Sequence, residues 1–278
     1  QFGSNLSAQY APGNANGYPD KAETDGTIGK VTYSWNPSDD VMYYVTWSEG
    51  FRPGLLNRPV GRTSPDGSYS VPAEITSDEI TNTEFGWKAI LQDGQLRFNG
   101  SVFMVDVEGL QTTVFDPSIV NLFFSDNAAD GEIKGAEGDF TYYANREGLT
   151  VAGAFSVLNT ELTKKLVPTN DVVVGSDMAF APGMQFNLRF RQEWEMANGN
   201  LGHAVVQFTH SDDSYSDIME MNKARQDSYT YMDVRVGMSN DDMTAELYID
   251  NINDERAAIS NTFVFDRQRV SYIRPTTI

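Results

Sequence analysis

The chain has 278 residues, 40% of them apolar, and a formal net charge of −19. Such acidity argues against a polynucleotide partner, which asks for a basic face, and the absence of cysteine excludes disulfides and thiolate metal centres. No apolar run approaches the ~18 residues of a membrane helix, a test that is silent on membrane β-strands, where only alternate residues need be apolar.

Taken in chain order, the recurrent feature is alternation with a period of two. An opening strand is predicted near Leu6 to Tyr10. In Gly29 to Trp35, Val31, Tyr33 and Trp35 alternate with Lys30, Thr32 and Ser34. The stretch YYVTWSEGFRPG, Tyr43 to Gly54, places Tyr43, Val45 and Trp47 on one face and then meets an acid, glycines, an arginine and a proline. Thr83, Phe85, Trp87, Ala89 and Leu91 form the next apolar face, and Leu96, Phe98, Gly100, Val102 and Met104 the one after. In MQFNLRFRQEWEM, Met184, Phe186, Leu188, Phe190 and Trp194 oppose Gln185, Asn187, Arg189, Arg191, Glu193 and Glu195. Met232, Val234, Val236 and Met238, then Ala245, Leu247 and Ile249, repeat the pattern. A helical period fits none of these windows.

The connections alternate in length. Asn36 to Asp40, Asp93-Gly94, Asn145 to Gly148, Asn198-Gly199 and Asn240 to Asp242 are short and carry hairpin-turn chemistry. Residues 52–78, 114–130, 162–181, 212–226 and 253–263 read as long, irregular loops. The count is roughly twelve strands, many of about ten residues. A soluble sandwich has shorter strands, and a propeller would show a repeat of about 40 residues. Long strands, short turns at one rim, long loops at the other and aromatics near strand ends (Trp35, Tyr43, Trp47, Trp87, Trp194) describe a membrane barrel with a wet interior. On that reading Val41 to Trp47 crosses the bilayer. Glu49, Asp106 and Glu108 then lie beyond the hydrocarbon.

These residues resemble the TonB-dependent outer-membrane receptors. SEGFRPG within Tyr44 to Gly54, TEFGWKAILQDGQLRFNGSVFMVDVEGLQ (Thr83 to Gln111), GAEGDFTYYANREGLTVAGAFSVLNTEL (Gly135 to Leu162), ELYIDNINDERA (Glu246 to Ala257) and RPTTI (Arg274 to Ile278) are similar to successive segments of that family, in the same order. The resemblance implies an all-β, antiparallel up-and-down transmembrane barrel of about 22 strands around a plug. The chain would be the C-terminal portion over 1–278, with the plug and the final half-strand absent. Edge strands without partners would then be untenable in lipid. It further implies a multi-pass protein of the cell outer membrane and active uptake of a scarce solute, typically a ferric siderophore. The TonB complex would act through the plug, with no cofactor and no catalytic residue. The readings kept beside it are a passive porin or autotransporter-type barrel, a soluble β-rich binding module and, more distantly, an enzyme on a β-scaffold.

Candidate ligand-binding residues lie in the long loops. Phe51, Arg52 and Asn57 either meet an anionic chelate or form a kinked strand exit. Phe115, Phe123 and Phe124 contact a solute or pack the loop on itself. Asp212, Asp213 and Asp217, with Tyr215 between and His210 beside them, lack the glycine and terminal glutamate of a calcium loop. His203 and His210 fall on opposite faces of a strand, so no metal site is expected. Arg189, Arg191, Glu193 and Glu195 share a face with Asp233 and Arg235, which brace the wall or steer solute. No nucleophile–base or paired-carboxylate constellation stands out.

Overall fold

The computed structural model describes residues 21–57, 62–144, 147–197, 199–264 and 267–278. The strands are β1 (Lys30–Ser38), β2 (Val41–Arg52), β3 (Asp78–Leu91), β4 (Leu96–Asp116), β5 (Val120–Tyr143), β6 (Leu149–Lys165) and β7 (Met184–Glu195), followed by β8 (Leu201–Ser211), β9 (Ser214–Tyr215), β10 (Arg225–Gln226), β11 (Tyr229–Ser239), β12 (Thr244–Ile249), β13 (Ala258–Val264) and β14 (Arg267–Tyr272). No helix forms among the described residues. Ten strands, β1 to β8 followed by β11 and β12, lie side by side in chain order in one antiparallel sheet. The ribbon β9–β10 belongs to the connection between β8 and β11, and the hairpin β13–β14 follows β12. The expected strand at Leu6 to Tyr10 lies outside the described residues.

Register follows from the alternation, because a slip of one residue would turn every apolar side chain to the wrong face. Val45, Phe85, Val102, Ala136 and Val157 stand opposite one another from β2 to β6. Phe190, Val206, Val234 and Ile249 continue the same face from β7 to β12. These side chains are uncovered: Val45 is 47% exposed and Val102 45%. A sheet in water would have to bury such a face, whereas hydrocarbon solvates it. The other face is polar. Thr32 bonds Thr46, Tyr44 donates to Glu84 at 2.5 Å, and Asn99 donates to Asp139 at 3.1 Å. A cavity of about 370 Å³ opens there beside Tyr44, Lys88, Glu137 and Asp139.

Two rows border the apolar band. Near the short turns, Trp35 stacks on Tyr43, Tyr43 on Phe85, and Trp87 lies 5.4 Å from Phe98. At the other border Glu49, Thr81, Asp106, Glu132 and Glu161 are cross-strand neighbours, with Lys134 Nζ 2.6 Å from Glu132.

Among the described residues the short turns lie at one rim. Asp93 and Gly94 have φ of 53° and 89°, and the Gln95 N–H donates to the Gln92 carbonyl at 3.1 Å, as a primed turn requires. Asn240 caps its turn by accepting from Asp242 and Met243 N–H groups. The opposite rim departs from expectation at 114–130. That segment continues β4 and β5 as a protruding hairpin, paired from Leu110↔Ala129 to Asp116↔Val120. Its register breaks between Val107 and Gln111 and again between Val114 and Asp116, which erased the alternation from the sequence.

The buried core lies at this loop rim. Val107, Val114, Phe124, Leu162, Val167 and Met219 gather there with partly buried Val105 and Ile133. The inner face thus turns from polar to apolar where the loops fold onto it. Gly131 permits one of these contacts, since a Cβ there would lie 2.2 Å from Met178 Cε. Beyond β14 the chain returns to the sheet: Thr277 and Asp250 exchange backbone hydrogen bonds of 2.9 and 3.1 Å.

Candidate functional site

Binding residues concentrate on irregular connections carried by a regular scaffold, and here the irregular connections lie at the loop rim. Its electrostatics are set by burial. Asp126, at the protruding hairpin, accepts from the Tyr69 hydroxyl. Burial pushes the Asp126 carboxyl above its ordinary range against that hydrogen bond. Burial and then the Asp126 contact raise Tyr69 as well. Asp116 is the converse case. Burial opposes its charge, but hydrogen bonds from Ser118 and from Thr169 at 2.6 Å outweigh it and hold the carboxyl below the usual value. The Thr169 bond clips residues 166–183 onto the hairpin tip. Burial also raises Asp217, which accepts from the Met219 N–H.

The structure spreads the sequence-predicted residues around the rim. Phe51 lies on the same face as Trp47 and Glu49, turned outward. Arg52 is inward, bonded to the buried Asp78 carboxylate, with a further 3.1 Å bond to the Gln111 carbonyl. Asn57 is 4% exposed; its amide donates to the Pro72 and Ser125 carbonyls and accepts from the Ser125 N–H. Phe115 and Phe123 stack at 4.6 Å, and Phe124 enters the core against Tyr69. Tyr215 carries Lys223 Nζ over its ring at 4.6 Å. Asn57 and Phe124 are therefore buried in the protein itself, Arg52 is bonded to it while its side chain stays 56% exposed, and Phe51, Phe115, Phe123 and Tyr215 keep part of their surface.

The histidines separate as their spacing requires. His203 bonds Glu246 at 2.9 Å on the inner face, and His210 stacks on Phe186 of the outer one. Arg191 pairs with Glu193, and Arg235 bridges Glu246 and Asp250, so Arg191, Glu193 and Arg235 of this inner row form ion pairs. Among the described residues no group of three or more histidine or acidic side chains is placed to hold a metal ion. Sequence reasoning did not single out Gln226. It is 5% exposed, and its Nε2 has no partner. A glutamine in a polar loop carries no periodic signal, so only the folded loops reveal it.

Residues 3–252 match the family model described as TonB dependent receptor-like, beta-barrel. The fold is similar to that of the ferric yersiniabactin uptake receptor FyuA from Yersinia pestis, at 16% identity and a TM-score of 0.68 over 90% of this chain and 35% of that one. It is also similar to BauA, the ferric preacinetobactin receptor from Acinetobacter baumannii, at 17% identity and a TM-score of 0.66 over 94% and 36%. PiuA, a siderophore receptor from the same organism, gives 16% and 0.64 over 89% and 34%. The chain thus spans about a third of the length of these relatives. With its apolar face outward, its polar face inward and its turns and loops at opposite rims, the chain belongs to the TonB-dependent receptor β-barrel family and is a β-barrel protein of the outer membrane.

Proposed function

We propose that residues 1–278 form the C-terminal portion of a receptor barrel that takes up a scarce solute, a ferric siderophore, with energy delivered by the TonB complex. The observation that carries this reading is the ten-stranded sequential sheet whose inner face is roofed by packed loops at one rim. A passive pore needs an unobstructed lumen, whereas a receptor needs structured loops to hold its solute before transport. The names of the solved relatives, which are receptors for ferric siderophores, support the solute class. Binding and gated release break no covalent bond, so the inner-face acids and arginines serve as wall and solute contacts.

The test is uptake of radiolabelled ferric siderophores by iron-starved cells carrying the full-length protein, with and without a working TonB complex. Energised accumulation that vanishes when TonB is removed is expected. Uptake that persists without TonB, following the external concentration passively, would return the protein to the porin class.

A further inference from the structure

Phe180 stands out by its backbone. Among the described residues, five that are not glycine have positive φ. Asp93, Asn251 and Asp254 are of the types that tolerate it, and Gln92 belongs to the primed turn. Phe180, with φ of 55°, is neither, and a bulky side chain in the left-handed region is a strained one. Its neighbours hold the strain in place. Met178 belongs to the loop-rim core, Ala179 and Ala181 pack against that core, Pro182 is buried, and the Phe180 N–H donates to the Tyr215 carbonyl at 2.7 Å. Between these core-facing residues the Phe180 ring is turned out and stays 48% exposed. One exposed phenylalanine is ordinary. Packing does not account for one whose backbone is strained while its ring stays out of the core, and strain of this kind collects at ligand-holding sites.

The ring lines a cavity of about 110 Å³ at the loop rim, with Pro182, Tyr229 and Ile259 as its other large apolar walls. Gln185 and Ser211, also in the lining, are cross-strand neighbours of each other and of Tyr229 on the polar inner face. The cavity therefore lies on the side that a solute enters. A sealed cavity of about 150 Å³ holds one benzene, so this smaller one, with Phe180 and Ile259 half exposed beside it, seats part of one ring and not a whole chelate.

The lining also selects the charge. Asp212 and Asp227 contribute carboxylates, and no lysine or arginine lines the cavity. An anionic ring would meet both carboxylates. A cation gains little, because Asp212 already has His210 at 3.1 Å and Asp227 has Arg225 at 3.3 Å. A strongly polar group is poorly served as well: the Ser211 hydroxyl is engaged with Gln185 and the Asp212 carbonyl, and the Gln226 Nε2 is sealed by the surrounding protein. An uncharged ring against the Phe180 ring fits all of these constraints.

We propose that Phe180 is a specificity-determining residue, held out by its strained backbone to stack on an uncharged aromatic ring of the imported chelate. This rests on the reading of the protein as a ferric-chelate receptor, and it adds the class of group that the chelate carries.

The experiment uses the purified full-length receptor and a matched pair of neutral probes: a linear ferric trihydroxamate whose terminal amine is capped with a benzoyl or with an acetyl group. Both are titrated by quenching of tryptophan fluorescence. The benzoyl chelate is expected to bind about tenfold more tightly, the order of one aromatic contact. Phe180→Gly should shrink that preference to within about twofold, and Phe180→Tyr should keep it. Amide exchange at residue 180, whose N–H bonds Tyr215, separates a contact from a scaffold. Glycine adopts positive φ without strain, so exchange there should slow or stay as it is. Exchange that speeds up in Phe180→Gly would make the ring a structural prop and overturn the proposal. Equal affinities of the two chelates for the unaltered protein, or a preference that survives Phe180→Gly, would overturn it too and leave the receptor reading standing. If neither chelate binds, the ferric-chelate reading fails and the subsite with it.

Discussion

Asn57 ties together segments 68 residues apart, with its amide bonded to Pro72 on its own loop and to Ser125 of β5. Replacement by leucine leaves the Ser125 N–H and two carbonyls without these partners. The expected local cost is about 1–3 kcal/mol. It should appear as faster amide exchange at Ser125 and around residues 71–75, with the unfolding midpoint of the barrel unchanged; unaltered protection there would show that the clamp is idle. The sequence placed Asn57 at the start of a loop but could not distinguish a solute contact from a clamp. Its partners are set by how two loops meet in space. By contrast, the reading of Arg52 as part of a kinked strand exit was within reach, because the acid that holds it, Asp78, begins the strand paired with β2.

Within the strands, aromatic rings repeatedly lie across a glycine directly opposite. Trp87 faces Gly100, Phe155 faces Gly138, Trp194 faces Gly202 and, on the inner face, Tyr44 faces Gly86. At Gly100 an added Cβ would stand 2.4 Å from the Trp87 ring and 2.9 Å from the Glu137 carbonyl oxygen. Gly100→Val should therefore expel the ring and cost about 1–3 kcal/mol, the usual penalty of overpacking. The measure is the urea midpoint of unfolding from lipid vesicles, and a midpoint equal to that of the unaltered protein would refute the account. Strand existence and facing were legible because hydrocarbon on one side and water on the other impose the period of two. Above the membrane that constraint lapses. Residues 114–130 are paired strand all the same, but bulges around Gly109 and Phe115 and polar neighbours on both faces hid them from the alternation.

At the scale of the whole molecule, the two faces are two solvents. Val102 lies outward in the middle of the apolar band, and Asn99 lies inward beside Asp139 and the 370 Å³ cavity. Val102→Arg should cost about 2–4 kcal/mol in lipid, as arginine does near the midplane of such barrels. Asn99→Arg, three residues away, should be close to neutral. Equal penalties at the two sites, measured by unfolding in vesicles, would contradict the assignment of faces. The carboxylate row also fixes how the wall floats. From Phe98 to Asp106 is eight residues of strand, about 26 Å at ~3.3 Å each and about 20 Å in depth at a tilt near 40°. Charge above and aromatic rings below leave one vertical setting, since sinking would drown the carboxylates in oil. The wall is cut for a thin membrane, and a thicker one would have to dimple around it.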